Sequence, residues 1–166
     1  HLNDFAQWAN GTETSGPVEV EAEGEFTKGL WNTVLRFEAR YRYANGVALV
    51  CRSDTPYIRF EGDAGWIRVD YPSTITAEPA SVLGSVIGPG ELRLADQLED
   101  KADFVRAIKD GTRTLEPVEV GHRTVSISQI GLIAMQVGGK LRWDPERERF
   151  PDDNAANARL TRPQRD

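Results

Sequence analysis

The chain has 166 residues, 39% of them hydrophobic, which is enough for a domain with its own core and too many for a disordered segment. Its 20 basic residues against 26 acidic ones give a net charge of −6, and no basic block could track a phosphate backbone, which argues against nucleic acid as a partner. No apolar stretch approaches the roughly 20 residues that cross a bilayer, which argues against a membrane span.

The opening "HLNDFAQWAN" has no initiating Met and no charged leader, yet it is amphipathic at helical spacing almost at once. Ala6, Trp8 and Ala9 are apolar, while Asn3, Asp4, Gln7 and Asn10 are polar. So abrupt a start is expected to continue a chain that begins upstream. "PVEVEAEGEF" then alternates Val18, Val20 and Ala22 with Glu19, Glu21 and Glu23, the mark of a half-solvated strand. After the loop "TKGLWNT", Leu35, Phe37, Ala39, Tyr41 and Tyr43 alternate with Arg36, Glu38, Arg40 and Arg42. Asn45-Gly46 follows, a pair that suits a type I′ hairpin turn with positive φ at both central residues. The apolar run "VALVC" comes next and holds Cys51, the single cysteine, which reads as an inert buried thiol. A second hairpin turns around Asp63 to Gly65 and should place Ile58, Phe60, Ile67 and Val69 on one buried face. "STITAEP" adds an edge strand that Pro79 ends, and Gly88 to Gly90 form a turn.

Further on the period changes. "DKADFVRAIKDG" reads as a helix with Asp100 as N-cap and Asp103 at the third helical position. Phe104, Val105 and Ile108 lie on one side of it, and Gly111 closes it. Pro117 then suits a first helical residue, and the next 20 or so residues place Ile127, Ile130, Ala134 and Val137 on a stripe fit to lie on a sheet. Residues 140–166 read as a surface-hugging tail with a short extended piece and a short helix near Asn154 to Leu160.

Strands followed by helices predict one α+β domain over residues 1–166, an open, mostly antiparallel sheet with helices packed on one face. Tyr41, Tyr43, Trp66 and Tyr71 either fill the core or form an exposed aromatic face that meets a partner. There is no phosphate-binding loop and no cysteine cluster at metal spacing. His1 and His122, the only histidines, could join Asp4 as ligands, but two imidazoles make a weak zinc set. In the loop "TKGLWNT", Trp31 beside Asn32 could stack on and hydrogen-bond a sugar ring; the alternative is a rigid loop anchored by a buried Trp31. His122 is either a helix-start residue bonded to nearby backbone or a substrate contact.

"HLNDFAQWANGTE" resembles the segment that opens the C-terminal domain of the Gfo/Idh/MocA oxidoreductases, where an Asp-x-x-x-His-x-x-Asp pattern enters a helix. "ADFVRAIKDG", the run "VEVGHRTVSISQIGLIAMQVGGKLRWDPERERF" and "DDNAANARLTRPQR" resemble later parts of the same domain, so the likeness spans the whole chain. It implies an N-terminal Rossmann domain that binds NAD or NADP and lies outside this chain, so that the chain by itself holds no cofactor. It implies a sugar, polyol or related hydroxy compound as substrate, and a homo-oligomer formed through the sheet face. His1 matches the histidine that exchanges a proton with the substrate hydroxyl, and Asp4 the acidic residue beside the substrate three positions on; the family's lysine and further aspartate fall upstream.

The chemistry accounts for such a set. Hydride leaves a carbinol carbon readily only if the hydroxyl proton is taken as well, which needs a base of near-neutral pKa within hydrogen-bond reach. A lysine steadies the developing alkoxide, and the cofactor carries the redox step. The alternatives are a binding or oligomerisation module without catalysis, and an unrelated α+β ligand-binding protein. Location follows from sequence upstream: cytoplasmic by default, periplasmic if an export signal is there.

Overall fold

The computed structural model describes residues 1–91 and 99–162. The chain divides into two compact units, one formed by His1–Asp54 with the chain from Val118 onward, the other by Thr55–Pro117. The strand pairs described are antiparallel, and they form two sheets.

In the first unit, helix α1 (Leu2–Ala9) precedes strands β1 (Glu19–Phe26), β2 (Val34–Arg42) and β3 (Ala48–Arg52). The long helix α3 (Val118–Val137), strand β7 (Lys140–Arg142) and the short helix α4 (Asn154–Asn157) complete it. Strand β7 pairs with β1, so the sheet order is β3-β2-β1-β7. The alternation in the sequence decides which face is covered. Val20, Ala22, Ala39, Tyr41 and Leu141 are buried in one core with Ile127, Ile130, Ile133 and Ala134 of α3. The predicted stripe on α3 is therefore the packed one.

Two glycines let helix and sheet close on each other. A Cβ on Gly24 would sit 2.8 Å from Val34 Cγ2 and 2.9 Å from Met135 Sδ, and a Cβ on Gly131 would overlap the Tyr41 hydroxyl. That hydroxyl donates to the Ile127 carbonyl at 3.0 Å, a bond made inside the core. Tyr41 and Tyr43 are thus core residues and not an exposed aromatic face. Burial raises both phenols, Tyr43 up to about 12, with the nearby Thr12 hydroxyl partly offsetting it. Among the described residues the Tyr43 hydroxyl has no partner at hydrogen-bond geometry. Burial also pushes up the Cys51 thiol, which packs against the edge of the core as an apolar group.

The Asn45-Gly46 turn differs from expectation. Only Gly46 has positive φ, at 89°, and Tyr43 N–H reaches Val47 O across three loop residues. This is a longer hairpin loop, in which one residue and not two needs the left-handed region. Asn45 then stays free to bond, through Nδ2, to Asn10 at 2.9 Å.

The closing segment does more than hug the surface, because Leu141, Trp143, Phe150 and Ala156 are core residues. Trp143 and Phe150 meet edge to face at 4.8 Å. Between them Asp144 Oδ1 accepts from Glu146 N–H and Arg147 N–H at 3.0 and 2.9 Å, and Asp144 pairs with Arg149 to close the turn. Helix α4 is capped by Asp153, which accepts from Ala156 N–H.

In the second unit, β4 (Tyr57–Gly62), β5 (Gly65–Asp70) and β6 (Thr74–Glu78) form a meander, followed by α2 (Asp100–Asp110). Ile58 opposes Val69 and Phe60 opposes Ile67, so these four share a face as predicted. That face is only partly covered, with Phe60 37% exposed. The opposite face stacks Arg59 over Trp66 and Arg68 over Tyr57. Arg68 also grips Asp70, and these hydrogen bonds hold its carboxyl below the usual range.

Helix α2 departs from expectation at both ends of its logic. Glu99 and not Asp100 is the N-cap, and Asp103 bonds Leu115 N–H and Arg106, folding the following loop back. The Leu115 N–H, then Arg106, lower the Asp103 carboxyl. Ala107 is buried while Phe104, Val105 and Ile108 are exposed, because the hydrogen-bonded aspartate and not the apolar side is the attached one.

Two outcomes test this packing. Gly131→Ala should destabilise the first unit by roughly 1–3 kcal/mol, the usual range for overpacking, and Tyr41→Phe should recover part of that loss in the double variant, although alone it costs about 1 kcal/mol. Chemical denaturation of the four proteins measures it, and strictly additive losses would place the tyrosine elsewhere. The Asp144 carboxyl is held below its ordinary range, first by the Arg147 N–H, then by Glu146 N–H and the Arg147 and Arg149 charges. Because the folded value is depressed, its stabilisation is complete above the unfolded pKa of about 3.9 and is lost as pH falls through the folded value. The stability gap between the unmodified protein and Asp144→Asn should therefore be widest near neutral pH and close in acid; a pH-independent gap would mean that charge contributes nothing to the turn.

Candidate functional site

Helix α1 is attached the wrong way round for an amphipathic helix. Its apolar residues Leu2, Phe5 and Trp8 are exposed, Phe5 by 55%, whereas its polar residues Asn3, Asp4 and Gln7 face its own unit. Residues 3, 4 and 7 share one helix face by their spacing. Thr124 Oγ1 of α3 donates to Asp4 Oδ1 at 2.9 Å, and Asn3 Nδ2 donates to Ser128 Oγ at 3.1 Å. Gln7 is fully buried: its Nε2 donates to Ser15 O, and its Oε1 accepts from Thr12 Oγ1 at 2.8 Å.

His1 is the N-cap residue of this helix. Its carbonyl accepts from Phe5 N–H at 3.1 Å, and the residue is exposed at the helix end. Asp4 sits one turn below, in contact with α3 and not with solvent alone.

His122 lies in the second turn of α3 and is tied to a side chain and not to backbone. Its Nε2 meets Glu148 Oε1 at 2.6 Å. Arg123 joins the same carboxylate at 3.2 Å, the Pro145 carbonyl at 2.5 Å and Glu119 at 2.8 Å. Glu148 adopts a φ of 50°, an uncommon conformation for a residue with a Cβ, and it is the residue on which the His122 imidazole and the Arg123 guanidinium converge. The cluster fastens the chain after β7 to the start of α3.

Trp31 and Asn32 are at the tip of the β1–β2 hairpin. Thr27 N–H and Oγ1 bond Thr33 O, and Thr27 Oγ1 also donates to Trp31 O at 2.7 Å, which orders the loop. Trp31 does not anchor the loop by burial: it is 71% exposed and Leu30 beside it 90%.

The structure therefore gathers His1 and Asp4 on one helix end, and through Thr124 brings Asp4 to the part of α3 that carries His122. Trp31 and Asn32 belong to a separate hairpin tip. His1, Asp4 and His122 are not assembled into a metal site, and among the described residues no three His, Cys, Asp or Glu are grouped to hold an ion. Sequence reading missed Thr124, Ser128, Gln7 and Glu148. The first two carry no signal of their own, because α3 also bears Ser126, Gln129 and Gln136, and their partners on α1 are far off in sequence.

The outer face of the four-stranded sheet is charged. Glu19 opposes Arg42 on one side and Arg142 on the other, and Glu21 opposes Arg40 and Lys140. Glu19 lies 3.7 Å from Arg42 and 3.8 Å from Lys140, and with Glu21, Arg40 and Val50 they line a shallow depression. Both sheets are antiparallel, and among the described residues no glycine-rich turn leads from a strand into a helix, the arrangement that cradles a pyrophosphate.

No curated protein matches the chain. Solved structures share the fold. The aldose-aldose oxidoreductase of Caulobacter crescentus, solved with glycerol, superposes with a TM-score of 0.61 at 15% identity, covering 84% of this chain and 44% of its own. An NAD-binding protein from Listeria innocua gives 0.56 at 14% identity, covering 86% and 45%. This chain thus spans less than half the length of each. The family profile for the C-terminal alpha/beta domain of the oxidoreductase family matches residues 1–166, and the chain belongs to that family, the Gfo/Idh/MocA oxidoreductases.

Proposed function

We propose that this chain is the substrate-side domain of an NAD(P)-dependent oxidoreductase that acts on a sugar, polyol or related hydroxy compound. The observation that carries the reading is His1, exposed at the end of a helix fixed to the core by hydrogen bonds, in a chain whose whole length matches the family. At that place the imidazole would take the proton of a substrate hydroxyl as its carbon is oxidised, and return it in the reverse direction. The nicotinamide cofactor, NAD or NADP, would be held by a Rossmann domain outside these residues. The Caulobacter neighbour, an aldose-aldose oxidoreductase solved with glycerol, supports a polyhydroxylated substrate.

The remaining contacts follow from exposure. Trp31 offers a free indole face on an ordered loop, with Asn32 next to it to hydrogen-bond ring hydroxyls. Asp4 Oδ2 remains for the substrate while Oδ1 holds Thr124. His122 would reach a substrate only by sharing its imidazole with Glu148.

Self-association through the sheet belongs to the same proposal, on a different physical basis from exposed aromatics. A column of carboxylates on β1 flanked by cations on β2 and β7 is self-complementary under a two-fold axis that sets the column of one copy against the cations of the other.

In the full-length protein, His1→Ala should lower turnover of its polyol substrate by roughly 10²- to 10⁴-fold, the usual cost of a lost acid-base group, with cofactor affinity unchanged. Steady-state kinetics and cofactor titration measure the two separately. Turnover within about threefold of the unmodified enzyme, far short of that cost, would remove His1 from the chemistry.

A further inference from the structure

The polar attachment of α1 sets a problem of its own. Turning half-buried Asn3 and Asp4 and buried Gln7 inward while leaving Leu2, Phe5 and Trp8 outside gives up the apolar contact that would hold the helix with more free energy. What hydrogen bonds supply instead is direction. Apolar surfaces tolerate sliding and rotation of a helix by a fraction of a turn, whereas a donor and acceptor at 2.9 Å fix both.

We propose that Asp4, Thr124, Asn3 and Ser128 form a positioning device whose purpose is to set the place of His1. Asp4 and Asn3 are three and two residues from His1, within the first turn of α1, so the two bonds clamp the end of the helix that carries the imidazole. Their partners, Thr124 and Ser128, are four residues apart on α3, the helix that packs on the four-stranded sheet in the core. Gln7, buried at the other end of α1, ties the helix to the loop that follows it through Thr12 and Ser15. Misplacing a catalytic group by about 1 Å can cost 10²-fold in rate, which is the reason for choosing directional bonds here. The inference rests on the proposed role of His1 and adds to it Asn3, Thr124 and Ser128, which act only through that imidazole, and a second, positioning role for Asp4 through Oδ1.

The test is Thr124→Val in the full-length protein, made alone and together with His1→Ala. Alone, it should lower kcat by about 10- to 100-fold with KM within about twofold, while Thr124→Ser restores the rate because it restores the hydroxyl. In the His1→Ala background the same Thr124→Val change should alter the residual rate by less than about twofold, since there is no imidazole left to misplace. Circular dichroism and thermal melting establish that each variant folds, and Ser128→Ala, which removes only the Asn3 bond, gives the same comparison should Thr124→Val fail to fold. Equal losses in both backgrounds would mark a general structural effect and overturn the proposal, as would an unchanged kcat. If His1→Ala itself leaves turnover intact, the role of His1 fails first and the positioning role with it; if His1→Ala is damaging and Thr124→Val is not, the positioning role alone fails.

Discussion

The closeness of α3 to the four-stranded sheet is the constraint from which the first unit follows. Gly24 and Gly131 remove the side chains that would hold the two layers apart, and Tyr41 uses the space to reach the Ile127 carbonyl from the sheet side. Neither a larger residue at these glycines nor a tyrosine without that carbonyl would keep the same distance. Burial of Val20, Ala22 and Ala39 against Ile127, Ile130 and Ala134 then supplies the free energy, at roughly 25 cal/mol for each Å² of apolar surface removed from water.

Once α3 is fixed, both ends of the chain are placed by it. Its hydroxyls take Asn3 and Asp4 of α1, and its first turns take the segment after β7 through His122 and Arg123 on Glu148. The two attachments differ in kind. The one at His1 is made of two directional hydrogen bonds, one to the Asp4 carboxylate and one between the neutral Asn3 and Ser128 side chains, while the other is a cluster on the Glu148 carboxylate near the surface, where salt screens the attraction. The helix that carries the proposed catalytic group is held by directional bonds, and the segment after β7 relies on buried Trp143 and Phe150 with charged groups outside.

Much of this fold was legible because two periods are hard to confuse. Alternation from Val18 to Tyr43 marked the strands and the buried face of the sheet, and the three-and-four spacing from Ile127 to Val137 marked the packed side of α3. What failed was inference from apolar residues alone on the two short helices α1 and α2. On α1 and α2 the attached sides carry Asp4, Gln7 and Asp103, whose partners lie elsewhere in the chain, so spacing pointed to the opposite side. The turn at Asn45-Gly46 was located but not its length, since the side chain of Asn45 bonds Asn10, a residue no local rule could supply. Of the proposed site, His1 and Asp4 rest on their resemblance to a family motif; Thr124 and Ser128 were invisible because a hydroxyl on a helix says nothing of what it will meet. The exposure of Trp31 was likewise undecidable, because a loop tryptophan packs inward or outward according to what its hairpin overhangs.

The central claim is that α1 presents His1 to a substrate hydroxyl from a position fixed by α3. A crystal structure of the full-length protein with nicotinamide cofactor and a bound polyol tests it most directly. The account predicts an imidazole nitrogen of His1 about 3 Å from a substrate hydroxyl oxygen, with the Asp4–Thr124 bond intact. A substrate bound with His1 more than about 6 Å away, beyond direct hydrogen-bond reach or reach through one water, would contradict it.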